Sequence, residues 1–562
     1  MSGVTEFLAG FPELAVFGTI AVGYLLGSIR IGDFSLGPVA GSLFAGLVIG
    51  QLAEIPVAGM AKSYLFLLFL FGIGYSAGPQ FLQALRRTGI QPILLATVVA
   101  TTGLLAAFAM ARLMQLDPGF SGGLFAGAVT QSSAIGSASE AVTLLGLGAE
   151  ETEKLTAHVA VGYAICYVVG YTVAIWFCSY LGPKLLRINL KDEAAALAES
   201  LGIEDENPNI VSGYRQFQFR AYRTPPESRI IGRLLAEVER EVADRRLFVL
   251  RLRRDGEILE AAPDLRFEAG DVLAISGRQE NVIEVLSKSA EEVDDAALLD
   301  IPYRQARIVV TNRDVLERDL RDLGVTDWAR GVYLRTILRG ESRIPVAPGI
   351  RLQAGDVIDL IGPATMLDRA SAHFGRELSP TPATDFVVLG LMIFFGGLLG
   401  TLLRFSILGV EVTLGTSVGV LLAGLLTGYL SSRFPFFGRI PNGAVTLMTT
   451  FGLASFIAMV GLQAAPQLAP AIEEVGVMLP IGGFIVAILP LFAGLAFGHF
   501  VLRMNPVLLL GGIAGSQTAT AAMAAVQTRA DSPLPVLGYA PTYPVAQVLA
   551  TLWGSVIVIL MA

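Results

Sequence analysis

The sequence predicts a polytopic α-helical membrane protein with two inverted-topology repeats, re-entrant or broken helices, and two small cytoplasmic α/β domains between the repeats. Of its 562 residues, 53% are hydrophobic and only 16% are charged, against about 25% charged in a typical soluble domain. The charge is also concentrated. The stretch from Ile188 to Pro382 holds 34 acidic and 27 basic residues, which is most of the 88 in the chain.

Long apolar segments lie on both sides of this polar stretch, and a membrane-spanning helix needs about 20 mostly apolar residues. Six segments precede the polar stretch, at 7–29, 36–52, 64–82, 90–114, 122–147 and 155–181. Six follow it, at 383–403, 412–430, 444–462, 475–502, 507–526 and 534–562.

The two halves resemble each other in sequence, which indicates an internal duplication. The stretch SLGPVAGSLFAGLVIGQL at 35–52 aligns with TLGTSVGVLLAGLLTGYL at 413–430. Gly-Tyr-Ala-x-x-Tyr occurs at 162–167 and again at 538–543. Close helix packing favours glycine in any membrane protein, but it does not explain the shared tyrosine motif.

The basic residues set the expected orientation, because Lys and Arg concentrate on the cytoplasmic side. With the N-terminus outside, Arg86, Arg87 and Lys184 are cytoplasmic if segment 122–147 enters the membrane and returns. Five crossings and one re-entrant segment per half make the repeats antiparallel. Six crossings per half would make them parallel and would separate these basic residues onto two faces. We therefore expect a cytoplasmic middle and both termini outside.

The middle is duplicated as well, since FEAGDVLAISG at 267–277 aligns with LQAGDVIDLIG at 352–362. Each copy places a polar Ala-Gly-Asp turn before a short apolar strand, which predicts two small α/β domains. The resulting domains are 1–187 (first transmembrane repeat), 188–290 and 291–382 (the α/β domains), and 383–562 (second transmembrane repeat).

Two of the apolar segments contain polar clusters framed by glycines, and broken helices in membrane proteins line wet cavities or protein interiors. The candidate substrate-binding residues there are Thr130, Gln131, Ser132, Ser133, Ser516, Gln517, Thr518 and Thr520. Half-helix N-termini would offer free N–H groups and partial positive charge to a carboxylate. Alternatively, these hydroxyls bond only their own backbone or a neighbouring helix.

Four further residues are candidates because they occur at matching places in both halves. Tyr163 and Tyr539 could donate hydrogen bonds to a substrate, or could anchor their helices at the interface. Pro79 and Pro466 are candidate helix breaks, or each could lie where its helix ends.

Composition also disfavours other functions. No basic stripe fits nucleic-acid binding. The three histidines, His158, His373 and His499, are scattered, and Cys166 and Cys178 lie in an apolar run. We therefore expect no catalytic residue, no metal site and no cofactor, and the protein is not expected to be an enzyme.

The sequence resembles the aspartate:alanine exchanger family, whose two transport halves flank domains similar to the TrkA-C ligand-binding subdomain of potassium-uptake regulators. The resemblance is carried by GYSAGPQF at 74–81, by the two polar clusters, and by the AGDV turns at 269–272 and 354–357. It implies exchange of small carboxylates, such as aspartate for alanine, or export of dicarboxylates such as succinate. It also implies a homodimer in the bacterial inner membrane. The middle domains could bind a regulatory ligand or support dimerisation.

Three other functions are compatible with the sequence besides carboxylate exchange. A sodium-coupled dicarboxylate symporter would need sodium for uptake. An ion channel gated by the middle domains would carry a filter such as Thr-Val-Gly-Tyr-Gly, which the sequence lacks. A membrane sensor would use its halves only to hold the soluble domains.

Overall fold

We describe the fold from a computed structural model of the chain. The structure describes residues 2–31, 34–35, 37–84, 90–201, 217–242, 245–286, 290–339, 342–378, 383–407, 410–434 and 437–562. The chain forms two compact units, one comprising Met1–Leu197 with Pro380–Ala562, the other Ala198–Ser379.

The first repeat consists of helices and one short β-hairpin. Its helices are α1 (Ser2–Gly10), α2 (Pro12–Ser28), α3 (Pro38–Leu52), α4 (Gly59–Ala84), α5 (Ile90–Leu113), α6 (Pro118–Ala128), α7 (Ser132–Leu144), α8 (Ala149–Trp176) and α9 (Gly182–Leu186). A π-helical turn, Phe177–Leu181, joins α8 to α9. The hairpin strands are β1 (Arg30–Ile31) and β2 (Phe34–Ser35).

The middle contains two sheets. The helices are α10 (Leu190–Leu201), α11 (Leu235–Glu241), α12 (Gln279–Leu286), α13 (Ala296–Leu299), α14 (Leu320–Gly324) and α15 (Ala364–Phe374). The first sheet has β3 (Phe217–Arg223), β4 (Phe248–Arg254), β5 (Glu257–Glu260), β6 (Val272–Arg278) and β7 (Glu291–Val293). The second has β8 (Tyr303–Val310), β9 (Tyr333–Arg339), β10 (Ser342–Ile344), β11 (Val357–Pro363) and β12 (Gly375–Glu377).

The second repeat follows the plan of the first. Its helices are α16 (Phe386–Leu402), α17 (Gly415–Arg433), α18 (Asn442–Thr446), α19 (Gly452–Ala464), α20 (Leu468–Val475), α21 (Met478–Ala496), α22 (Pro506–Ser516), α23 (Thr520–Ala530) and α24 (Val536–Met561). Its hairpin, β13 (Arg404–Ile407) with β14 (Val410–Thr413), occupies the place that β1 and β2 hold in the first repeat. Seven helices of the described chain are long and apolar enough to cross a membrane, which confirms the predicted polytopic class.

The helices pack as two bundles, each built from both repeats. The scaffold bundle contains α2, α3, α4, α16, α17 and α19. The site bundle contains α5, α6, α7, α8, α21, α22, α23 and α24. Glycines let helix backbones meet inside the scaffold bundle: a Cβ at Gly74 would lie 2.3 Å from Leu421 O, and one at Gly424 would lie 2.5 Å from Phe71 O.

The two prolines predicted to break helices differ. At Pro466, α19 ends and a 3₁₀ turn, Ala465–Gln467, leads into α20, as a helix break requires. At Pro79 the prediction is wrong, because α4 continues through the proline to Ala84. Close packing of Gly74 and Gly78 on the α17 backbone holds α4 helical despite the hydrogen bond that the proline removes.

The two middle domains share one topology. Their strand orders are β5-β4-β6-β3-β7 and β10-β9-β11-β8-β12, and all neighbouring strands are antiparallel. This matches a duplication. The first sheet extends to Val293, so the first domain continues a few residues past the expected boundary at 290.

The repeated Ala-Gly-Asp turns have a structural role in these domains. Asp271 is 1% exposed, and its carboxylate accepts two hydrogen bonds from the guanidinium of Arg254, at 2.9 and 2.7 Å. In the second domain, Arg339 binds the buried Asp356 in the same way, with both bonds at 2.8 Å. The hydrogen bonds that Arg254 donates to Asp271 raise the pKa of Arg254 above its ordinary value.

We expect Asp356→Ala to destabilise the second α/β domain by about 3–5 kcal/mol, because it leaves the buried Arg339 without a counter-charge. The measurement is pulse proteolysis of the full-length protein in urea. The matched control is Asp368→Ala, which removes an exposed partner of Arg304 and should cost less than about 1 kcal/mol. Equal effects of the two substitutions would contradict this prediction.

Candidate functional site

The polar clusters lie at two broken helices that are built alike. In each, a proline occupies the first position, and the side chain before it caps the helix: Asp117 accepts from Phe120 N at 2.7 Å, and Asn505 accepts from Val507 N at 2.9 Å. Proline at this position and a polar cap are typical helix starts. Both predicted clusters therefore lie at the ends of half-helices.

Each helix is interrupted by a threonine in the left-handed region. Thr130 has φ 56° and separates α6 from α7, and Thr518 has φ 51° and separates α22 from α23. Positive φ is uncommon for residues with a branched Cβ and marks a constrained site. In the first repeat the halves fold back on each other, because a Cβ at Gly122 in α6 would lie 2.9 Å from the Ala138 Cβ in α7. The segment therefore enters and returns, as predicted.

The two breaks contact each other directly. The Thr130 hydroxyl donates to the Gln517 carbonyl oxygen at 2.5 Å. The Thr518 hydroxyl donates to Gln131 Oε1 at 2.6 Å and lies 3.3 Å from the Thr130 carbonyl oxygen. Each threonine thus reaches across to the other break, and the structure brings the two predicted clusters together.

The structure aligns the two polar clusters differently from the sequence match. The sequence match pairs Thr130-Gln131-Ser132 with 516–518, whereas the helix starts and the positive φ angles pair Thr130 with Thr518. Gln131 and Gln517 are therefore not equivalent residues. One glutamine follows its threonine and the other precedes it.

A chain of buried hydrogen bonds continues from Gln131 into α24. Gln131 Nε2 donates to Ser133 Oγ at 2.9 Å, and Gln547 Nε2 donates to the same oxygen at 2.9 Å. The Ser133 hydroxyl also lies 2.6 Å from Thr551 Oγ1. Gln547 and Thr551 were not among the predicted residues. Their signal was the spacing of Gln547, Thr551 and Ser555, four residues apart on one face of an apolar helix.

The remaining predicted residues divide between the site and their own helices. The Tyr163 hydroxyl lies 3.0 Å from Ser132 Oγ, and Tyr163 is fully buried. Tyr539 is also buried and stacks on Tyr543. Ser516 donates to Gly512 O in its own helix, which is the alternative role considered for it. Thr520 is exposed at the start of α23.

Gln517 is the unusual member of the site. It is 2% exposed, and neither its Nε2 nor its Oε1 has a hydrogen-bond partner among the described residues. A buried unpaired polar group costs about 1–3 kcal/mol, so buried amides are normally satisfied. This amide therefore has both a donor and an acceptor available beside the crossing of the two helices.

The electrostatic environment favours an anion. The half-helices α7 and α23 begin at the breaks with Ser132 and Thr520, and neither has an acidic residue in its first turn. Their N-termini therefore present uncompensated partial positive charge. Among the described residues, no group of three or more His, Cys, Asp or Glu side chains could hold a metal ion.

One carboxylate of α7 lies farther along and joins the two bundles. Glu140 Oε1 accepts from Thr416 N at 2.6 Å and also binds the Thr416 hydroxyl, and Oε2 accepts from Ser417 N at 3.0 Å. The carboxylate thereby caps α17 of the scaffold bundle, where negative charge is favourable. We call this contact the Glu140 clamp.

Fold and site together define a membrane transport protein made of two repeats with broken helices in contact. The chain belongs to the Asp-Al_Ex family, whose model is described as a predicted permease membrane region and matches residues 15–183 and 388–559. A TrkA-C domain model matches residues 219–289. These matches confirm the family resemblance drawn from the sequence.

Several relatives are named only as uncharacterized transporters. One from Bradyrhizobium diazoefficiens is 46% identical, covering 92% of this chain and 100% of the relative. One from Bordetella parapertussis is 39% identical, over 97% and 96% of the two chains. One from Shewanella oneidensis is 34% identical over the full length of both. No solved structure matches the chain.

Proposed function

We propose that this transporter is a secondary active exchanger of small carboxylates, such as aspartate, alanine or succinate, in the bacterial inner membrane. The observation that carries the proposal is the buried, unpartnered Gln517 amide at the contact between two broken helices. Half-helix N-termini supply an anion with N–H donors and partial positive charge without a buried cation.

The chemistry of the amide favours one substrate class. Its NH₂ group can donate to a carboxylate, and its oxygen can accept from an ammonium or a hydroxyl group. An α-amino acid satisfies both halves of the Gln517 amide, whereas a plain dicarboxylate satisfies only the donor. We therefore place aspartate and alanine ahead of succinate.

The two bundles supply a means of alternating access. All residues of the hydrogen-bonded network lie in the site bundle, so the network can move with its substrate as one body. Rocking or elevator-like movement of the site bundle against the scaffold bundle would then expose the substrate on either side. Such a movement would break the Glu140 clamp in each cycle.

Counterflow in proteoliposomes tests the proposal. We expect liposomes loaded with unlabelled aspartate or alanine to accumulate the labelled compound, at a rate independent of sodium. Empty liposomes and liposomes without protein are the controls. Strict sodium dependence would favour the symporter, currents proportional to voltage would favour the channel, and no counterflow of any carboxylate in the panel would contradict exchange.

A further inference from the structure

A second polar cluster lies outside the network around Gln517 and has no role in the proposed exchange. His158 in α8 is 1% exposed, and its Nδ1 lies 2.5 Å from Asp117 Oδ2. Its Nε2 lies 4.0 Å from Glu474 Oε2. The Phe120 ring stacks on the imidazole with the ring centroids 4.0 Å apart. The imidazole is therefore held between two carboxylates.

The two carboxylates lie on elements that differ in their relation to the two bundles. Asp117 caps α6 and lies, like His158, in the site bundle. Glu474 lies in α20, which links α19 of the scaffold bundle to α21 of the site bundle and contacts α8. Its side chain is 51% exposed, against 2% for His158. The imidazole thus lies at a junction between the bundles, with the more exposed carboxylate on the far side.

Two further ionisable residues lie close to this cluster along the chain. Lys154 lies one turn earlier on α8, and Glu473 is the neighbour of Glu474 on α20. Within 4.0 Å, the ion pairs that the structure records for His158 are those with Asp117 and Glu474. The second repeat has Asn505 in place of Asp117, so the described part of that repeat does not reproduce this cluster.

We propose that His158 is a proton-binding site that controls movement between the bundles, a function beyond carboxylate exchange itself. A neutral imidazole has one N–H, which the short bond to Asp117 uses. A protonated imidazole has two, and the second points toward Glu474, for which a small side-chain movement closes the 4.0 Å gap. Protonation of His158 then joins α8 to α20 through a hydrogen bond to Glu474. This bond slows the movement of the site bundle between its two positions.

The test compares counterflow by the full-length protein in liposomes buffered at pH 5.5 and at pH 8.0 on both sides, a range in which imidazoles ordinarily change charge. We expect the wild type to exchange several-fold more slowly at pH 5.5. His158→Gln keeps a donor for Asp117 but cannot become charged, so its two rates should differ far less. Glu474→Gln should lose the pH effect in the same way, and His499→Gln should retain it.

A second measurement does not depend on transport, so failure of the exchange proposal leaves it intact. Spin labels at Glu151→Cys on α8 and Ile472→Cys on α20, with Cys166 and Cys178 replaced by alanine, report the distance between the helices. We expect a narrow distribution at pH 5.5 and a broader one at pH 8.0. In the His158→Gln variant the distance distribution should be broad at both pH values. Two results would overturn the proposal. One is a His158→Gln variant whose counterflow rates at pH 8.0 and pH 5.5 differ as much as those of the wild type. The other is a wild-type distance distribution that is the same at both pH values.

Discussion

Gln517→Leu is expected to abolish most exchange while leaving the protein at least as stable as the wild type. Leucine has a similar size but neither donor nor acceptor, and a hydrogen bond to a charged group contributes about 1.5–3 kcal/mol. We therefore expect counterflow to fall about 10- to 150-fold. Because the amide has no partner in the part of the chain that the structure describes, its removal also relieves a buried unsatisfied group, so the melting temperature should hold or rise.

Gln547→Leu is the matched control for this result. Gln547 is as deeply buried, but its amide donates to Ser133 Oγ, so its loss should lower the melting temperature. Comparison of the two variants distinguishes an amide that binds substrate from an amide that stabilises the fold. A clear loss of stability in Gln517→Leu, or wild-type exchange by it, would show that Gln517 does not face the substrate.

Gly123→Ala is expected to cost both stability and transport. A Cβ at Gly123 in α6 would lie 2.5 Å from Val159 O and 2.8 Å from Tyr163 N in α8. Both atoms are backbone and cannot rotate away, so α6 must shift. Overpacking of this kind typically costs about 1–3 kcal/mol or more. The displaced α6 leads directly into the break at Thr130, so counterflow should fall with the melting temperature.

The control for Gly123→Ala is Gly390→Ala in α16. A Cβ there has no atom within 4 Å, and alanine is the better helix former by about 1 kcal/mol. This variant should therefore match or exceed wild-type stability. Thermal unfolding in detergent and counterflow, measured on both variants, check the prediction. If Gly123→Ala has the wild-type melting temperature and counterflow rate, α6 can move away from α8 without loss of stability, and the prediction is wrong.

Much of the fold was predictable because a membrane restricts the chain to long apolar helices. All twelve predicted segments correspond to helices or broken helices, and the duplication appears again in the hairpins β1–β2 and β13–β14. The prolines were less predictable. Sequence shows where a helix loses a hydrogen bond, but at Pro79 the packing of α4 on α17 decides that the helix continues.

At the site, sequence located both breaks but not their register or their partners. The two glutamines suggested an equivalence that the backbone does not support, since the left-handed residues are Thr130 and Thr518. Gln547 and Thr551 lie far along the chain, and only the packing of α24 on α7 brings them to Ser133. Asp117 was missed because its meaning depends on His158, 41 residues later.

Among the described residues, the other repeat does not reproduce the Glu140 clamp, and in the proposed cycle this would affect the two directions of movement differently. The place of Thr416 is taken in α3 by Pro38, which has no N–H to donate. The place of Glu140 is taken by Thr528, whose hydroxyl bonds Ala524 O in its own helix. In the proposed exchange cycle, the two end states should therefore be unequal in energy. Without substrate, the protein should favour the conformation in which the Glu140 clamp is formed. Substrate on the side of the membrane that this conformation opens to would then bind first.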